Sequence, residues 1–295
     1  MELVQLPGTA PAAGIAPGRH GASLAILALI FFMWGFITVL NDVLVPHLRS
    51  VFALSYTEAT MIQFVFFGTY FLAALPSAAI LEKLGYKRSI AGGLFTTAVG
   101  ALLFLPSATL PSYGLFLCGL FILASGITML QVAANPYVAM LGPPETASSR
   151  LNLVQAFNSL GTTVAPFFGG MLILANSTSG TSEAGRVLTH AERLADALAV
   201  RAPYAGIAAV LVLLGLLILA WNFPRVGVRH AASAVAGPSL LREKRLLLGI
   251  GAIFFYVGAE IAVGTFLINY ISPPHVVPMP HTEAAFYVSP FWGRA

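Results

Sequence analysis

Two carboxylates stand where carboxylates are costly. Asp42 closes the apolar run that starts at Gly21, and Glu260 interrupts the run Leu246 to Ile271 near its centre. An ionisable group at bilayer depth costs a few kcal/mol unless it faces a cavity or a partner. The charged form of such an acid is poorly solvated, so a site of this kind can bind and release a proton. For Asp42 a second reading stands beside that one: an interfacial acid near the outer headgroups, shortly before Pro46. For Glu260 the second reading is a carboxylate paired with a neighbouring helix. Amides form another set. Gln131 and Asn135 are spaced i, i+4 and share a helix face, and Asn152, Gln155 and Asn158 recur every third residue. Each carboxamide donates and accepts, which suits a neutral polyhydroxylated ligand. The competing use is helix-to-helix hydrogen bonding, worth roughly 0.6 kcal/mol on average. Asn135 precedes Pro136 and also suits a bend, and Asn152 beside Arg150 also suits the membrane surface. Trp34, among Phe31, Phe32 and Phe36, either stacks on a sugar ring or packs against lipid and helices. No phosphate-cradling Gly-Lys loop or nucleophile elbow occurs. The lone Cys118 excludes a disulfide framework or a cysteine metal cluster. His47, His190, His275 and His281 are expected in outside loops. No catalytic constellation, metal set or cofactor is read here.

The elements that must hold these groups are membrane helices. Of the 295 residues 58% are apolar and 9% are charged, against about 25% charged in an average soluble domain. With 15 Lys and Arg and 11 Asp and Glu, the chain cannot clothe a water-soluble surface. That excludes an ordinary cytosolic enzyme, a nucleic-acid binder and a disordered chain. The apolar runs predict an all-α polytopic membrane protein. About 20 apolar residues cross the hydrocarbon, and uncharged stretches begin at Gly21, Ala59, Ser89, Leu151, Ala202 and Leu246. The run from Ser89 is long enough for two crossings, with a turn at Pro106-Ser107 and Pro111-Ser112. Seven spans result, and an eighth begins near Glu283. Residues 1–21, free of Lys and Arg before Arg19 and broken by prolines, are expected to be a mobile leader rather than a secretory signal. Residues 22–224 form a six-helix lobe, 225–245 a basic cytoplasmic linker and 246–295 an incomplete second lobe.

Orientation follows from the cations. With the N-terminus inside, Arg19, Lys83, Lys87, Arg88, Arg150, Arg225, Arg229, Arg242, Lys244 and Arg245 are cytoplasmic. Arg49, Arg186, Arg193 and Arg201 are then outside and share their loops with acids. The sequence also repeats. Ile37-Thr38-x-Leu40 before Asn41 matches Ile127-Thr128-x-Leu130 before Gln131, with Pro46 and Pro136 following each. Gln63 and Gln155 echo the same offset. Three spans separate the copies, so they run in opposite directions, as in the inverted repeats of secondary transporters.

Four strings carry a resemblance. Glu82-Lys83-Leu84-Gly85-Tyr86-Lys87-Arg88 is similar to the loop signature of the major facilitator superfamily, with Ala78 for its leading Gly and Glu82 for its Asp. Leu40-Asn41-Asp42 with Val45-Pro46, Gln131 to Tyr137, and Arg150 to Gly161 together resemble the fucose/galactose/glucose:proton symporter family. The likeness extends over Tyr256 to Glu260 and into Tyr287-Val288 and Phe291-Trp292-Gly293. It implies a two-lobed inner-membrane carrier with alternating access, of which this chain holds the N-terminal six-helix lobe (two inverted three-helix repeats), a seventh helix and the start of an eighth. It implies proton coupling at Asp42 and sugar contact at Gln155 and Asn158. Asn41, Trp34, Gln131 and Asn135 complete the expected sugar site. The fucose branch carries Glu at the position of Gln131, so the glucose/galactose branch is favoured and Glu260 becomes the second candidate carboxylate. Glu82, Lys83, Gly85, Lys87 and Arg88 are expected to latch helix ends on the cytoplasmic side. The expected partners are a sugar, a proton, the bilayer and the remainder of the second lobe in a full-length parent. The alternatives are a truncated, non-transporting remnant and a facilitator for another neutral solute.

Overall fold

The computed structural model describes residues 17–109, 112–176, 189–224, 243–271 and 279–292. The linker expected at 225–245 and residues 1–16 of the expected leader lie mostly or wholly outside them. The described residues form α1 (Pro17–Val51), α2 (Tyr56–Thr109), α3 (Tyr113–Met140), α4 (Ala147–Leu172), α5 (His190–Ala199), α6 (Arg201–Ala220), α7 (Lys244–Ile271) and α8 (His281–Trp292). Two short 3-10 turns flank α4, and no strand occurs among the described residues. Helix is the required solution, because hydrocarbon offers no partner to backbone N–H and C=O groups.

Long apolar stretches run over Gly21–Val51, Thr57–Thr109, Tyr113–Met140, Ala191–Ala220 and Leu247–Gly264. The second of these, at 53 residues, is two crossings. Gly85 divides it, with φ 74° and ψ 169°. That backbone is open to glycine and strained for other residues, so the glycine of the Glu82–Arg88 loop sets the break between the first limb of α2 and the second. α4 is 26 residues long, enough to cross, but its amides and hydroxyls dilute its apolar character.

Two sequence boundaries differ in the structure. α1 begins at Pro17, so residues 17–21 of the expected leader are helical; proline fits the first turn, where its missing N–H costs nothing. α1 also runs through Pro46 to Val51 rather than ending near it. His47, expected in a loop, is therefore inside α1 and fully buried. Its Nε2 donates to the Asp196 carbonyl of α5 at 3.1 Å.

Packing is organised in close pairs. α1 lies along α4, and the second limb of α2 lies along α3 and α6. Glycine makes both approaches possible. A Cβ on Gly35 or Gly161 would run into the carbonyls of Asn158 or Phe32 across the α1–α4 seam. A Cβ on Gly100 or Gly126 would do the same to Leu123 or Thr97 across the α2–α3 seam. Without a hydrophobic drive between helices in lipid, such close backbone contact is the main source of association. Phe104 of α2 stacks on Phe116 and meets Tyr204 of α6 edge-on, centroids 4.7 Å apart in both cases. Arg150 ties the turn between α3 and α4 by donating to the carbonyls of Val138 (3.1 Å), Ala139 (2.6 Å) and Pro143 (3.1 Å), which stops α3.

Outward faces are apolar. Phe64, Phe71, Leu72 and Leu75 of α2 are exposed, as are Ile253, Phe254, Phe255 and Tyr256 of α7. Such rows would be a liability in water and are the normal exterior of a protein solvated by lipid or by further helices.

Candidate functional site

The polar groups buried at bilayer depth gather where α1, the first limb of α2 and α3 meet. Asp42 is 1% exposed. Gln63 of α2 donates from Nε2 to Asp42 Oδ1 at 2.6 Å. Pro46 sits one helical turn on and cannot donate to the Asp42 carbonyl, so the backbone is locally opened beside the acid. Asn41 is 2% exposed, and neither its Oδ1 nor its Nδ2 has a hydrogen-bond partner among the described residues. Gln63 Oε1 is in the same condition. Leaving such atoms unsatisfied costs about 1–3 kcal/mol each. Three orphan amide atoms beside one carboxylate are therefore expensive for a purely structural arrangement.

Tyr70, two turns beyond Gln63 on α2, joins the cluster. Its hydroxyl lies among the side chains of Trp34, Thr38 and Gln131, close enough to Asp42 to feel its charge. Trp34 is half-buried, its indole tilted on Phe31 with centroids 5.3 Å apart. Thr38 Oγ1 donates back to the Trp34 carbonyl at 3.0 Å. The matching Thr128 of the sequence repeat makes the same bond to Ala124 at 2.8 Å. Thr69 and Thr97 make the same bond, the ordinary return of a helical hydroxyl to the carbonyl one turn back.

The remaining predicted residues are placed differently. Asn135 donates to the Gln131 carbonyl at 3.1 Å within its own helix, so its amide is turned back on α3. Asn158 donates to the Phe31 carbonyl at 2.9 Å and bridges α4 to α1. Gln155 is exposed on α4, as is Asn152. Glu260 is half-buried on α7 and takes no part in the Asp42–Gln63 bond. Glu82, Lys83 and Arg88 are exposed and Lys87 half-buried around Gly85. No group of three or more His, Cys, Asp or Glu with metal-site geometry occurs among the described residues.

The structure thus brings together Trp34, Thr38, Asp42, Gln63, Tyr70 and Gln131, with the buried Asn41 next to Asp42 along α1. Thr38 and Gln63 drew notice in the sequence only through the repeat. Tyr70 carried no signal, because a tyrosine in an apolar run is indistinguishable from an aromatic facing lipid. Chemically, the cluster is a buried acid held by one amide donor. Beside it are acceptors and donors that can take hydroxyls, and an indole that can pack on a sugar ring. It offers no nucleophile–base pair.

The described residues form an all-helical bundle with membrane-length apolar helices and a buried acid and amides among them. The model of the Major Facilitator Superfamily matches residues 24–293, and the chain belongs to that superfamily. Over 278 residues it is 49% identical to the glucose/galactose transporter of Brucella abortus, covering 94% of this chain and 65% of that one. It is 42% identical over 273 residues to a putative glucose/galactose transporter of Helicobacter pylori, covering 92% of this chain and 65% of that one. It is 38% identical to the L-fucose-proton symporter of Escherichia coli over 83% of this chain and 58% of that one. The crystal structure of the E. coli fucose:proton symporter, as a single-site variant, superposes with a TM-score of 0.70 at 35% identity, over 92% of this chain and 67% of that one. This chain thus spans just under two thirds of the length of the glucose/galactose transporters it matches. It is a multi-pass membrane protein.

Proposed function

We propose that the protein is a proton-coupled carrier of a neutral hexose, of the glucose/galactose or fucose type. It works by alternating access in the bacterial inner membrane, with its N-terminus cytoplasmic. Asp42 takes the proton and Gln63 orients its carboxylate. Glu260 is the second carboxylate. Trp34, Asn41, Gln131 and Tyr70 meet the sugar, joined by Asn135, Gln155 and Asn158 when the lobes rock. The orientation rests on the distribution of Lys and Arg along the loops.

The observation that carries this reading is the buried Asp42–Gln63 bond beside Asn41, whose amide has no partner among the described residues. A polar group at that depth without a structural partner marks a solute or ion pathway. The names of the relatives supply the solute class. The lack of a buried Lys or Arg in the cluster disfavours an anionic substrate, which would need a cation to replace its hydration.

The test is expression of this chain in a cell lacking hexose uptake. The readouts are accumulation of labelled glucose, galactose and fucose and the accompanying alkalinisation of a weakly buffered medium. Accumulation abolished by a protonophore supports the proposal. In Asp42→Asn, uptake that no longer exceeds equilibrium supports the assigned role, and unchanged coupling refutes it. Absence of any uptake by a correctly inserted chain favours the second reading, a membrane remnant without transport. The bare apolar face of α7 motivates that reading. Uptake without alkalinisation favours a facilitator of neutral solutes.

A further inference from the structure

The short helix α5 is built inside out. It leads into α6 at the end of the bundle where α1 finishes, opposite the Gly85 break. It packs on both α1 and α2. The residues it turns inward are Asp196, 1% exposed, and the small Ala197. The Asp196 carbonyl stands in the last turn of the helix, where carbonyls lack the N–H that would continue it. The Val200 N–H goes to the Leu198 carbonyl, and His47 Nε2 donates to Asp196 at 3.1 Å. The residues α5 turns outward are its leucines. Leu194 is 39% and Leu198 40% exposed among the described residues. A helix on a water-bathed surface has the opposite arrangement, leucines in and acid out. Length fixes the depth. α6 has 20 residues, about 30 Å of helix, which matches the hydrocarbon thickness by itself. The ten residues of α5 therefore lie at or beyond its edge. The exposed face does not stop there. Positions 194, 198, 202, 206, 210 and 213 recur every third or fourth residue and are all exposed. Val200, between the two helices, keeps a right-handed helical backbone (φ −77°, ψ −16°), which preserves the register.

We propose that α5 is an interfacial helix, its Leu194–Leu198 face docked into the headgroup–acyl boundary of the leaflet at that end of the bundle. In the orientation proposed above this is the outer leaflet. Interfacial helices sink an apolar face about 5–10 Å into that boundary. Lipid is the occupant assigned because the outward side of α6 leaves the hydrocarbon and continues onto α5 without a break. Arg201, exposed at the junction of the two helices, stands at the depth where a long stem rests in the apolar layer and its guanidinium reaches the headgroups. The inward side of α5 explains why the leucines are free for this use: its hold on the bundle comes from His47, from close packing at Ala197 and Val200, and from a capping box at Thr189 and Glu192. Through His47, the helix that carries Asp42 is tied to a segment resting on the membrane surface. The inference needs α6 to cross the membrane and does not rest on what the protein carries.

The experiment is site-directed spin labelling of the full chain in phosphatidylcholine vesicles. Leu194→Cys and Leu198→Cys are made singly in a Cys118→Ser background, Cys118 being the one native thiol. Leu213→Cys, exposed in the middle of α6, is the hydrocarbon reference. Glu145→Cys, exposed in the turn before α4, is the water reference. Each nitroxide is tested for collision with oxygen, which partitions into lipid, and with a water-soluble nickel chelate. The oxygen-to-nickel ratio at 194 and 198 is expected severalfold above that of Glu145→Cys and below that of Leu213→Cys. Helix content and elution volume establish that each variant is folded. Ala191→Cys and Ala195→Cys, exposed on the same helix, repeat the measurement in place of a leucine variant that does not fold. A ratio equal to the Glu145 site puts α5 in water and overturns the proposal. A ratio equal to the Leu213 site puts it within the hydrocarbon and overturns the interfacial placement. Low collision with both reagents means that another segment or a second copy covers the leucines, which overturns the proposal as well.

Discussion

The α2–α3 seam and the α1–α2 cluster are both buried among apolar helices and are built differently. Across the seam, Gly93, Gly100 and Gly126 let backbones touch, and Thr97 returns its hydroxyl to Gly93 at 2.8 Å, while Ser89 Oγ of the same limb of α2 is buried without a partner among the described residues. In the cluster, Asn41 and one atom of Gln63 have no partner among the described residues, and the acid draws a donor from another helix. The same low-polarity surroundings penalise both equally. The seam answers chiefly with glycines and small hydroxyls, the cluster by keeping an acid and amides. A fold that needed only stability would make the first choice throughout, and the second is the observation on which the proposed carrier reading rests.

Breaking the seam should have the largest effect. Gly100→Leu or Gly126→Leu puts a side chain into a facing backbone, with an expected loss of roughly 3 kcal/mol. A fall in the yield of monodisperse protein on size exclusion would register it. Ordinary thermal stability in either variant would mean that the helices do not approach as closely as described. Asp42→Leu comes next. It strands the Gln63 amide and should destabilise by about 1–3 kcal/mol, whereas Asp42→Asn keeps a hydrogen-bond partner and should melt near the original chain. Equal melting of the two would remove the energetic contrast between the regions. For Gln63→Leu the expected result is reduced proton uptake per sugar with exchange largely retained. That separation of coupling from binding distinguishes an orienting residue from a packing one. Tyr70→Phe removes one hydroxyl from the group around Gln131 and should raise the sugar KM severalfold, at about 1 kcal/mol. Thr189→Ala is the smallest. It removes the capping box in which Thr189 and Glu192 bond each other's backbone N–H groups, at 3.3 and 2.8 Å. That should cost about 1 kcal/mol of local helix stability, visible as faster hydrogen exchange in α5 alone.

Much of the scaffold was legible in the chain. The apolar runs marked the helices, because hydrocarbon thickness fixes how long such a run must be. Gly85 was readable as a turn because only glycine takes that φ cheaply. The beginning of α1 was less legible, since Pro17 and Arg19 read as a boundary while proline in fact suits a first helical turn. Pro46 misled for a related reason: a lost N–H is tolerated in a membrane helix whose neighbours hold it in place. Within the candidate site, Asp42 stood out because a lone acid is conspicuous among apolar residues. Gln155 and Asn158 were also conspicuous; the structure shows Asn158 donating to the Phe31 carbonyl and Gln155 exposed on α4. Spacing on a helix tells which residues share a face and not what that face meets.

Composition and periodicity alone determined that this is a helical membrane protein and which of its polar residues are expensive. Transfer of charge into hydrocarbon is costly wherever the helix lies, so those conclusions need no neighbours. Only the tertiary arrangement decided that Gln63 and Tyr70 of one helix come to Asp42 and Trp34 of another, and that Asn158 donates to the Phe31 carbonyl across the α1–α4 seam. Those are distances between segments far apart in the chain. They are set by which backbones the glycines allow to touch, a property of the pair of helices and not of either one.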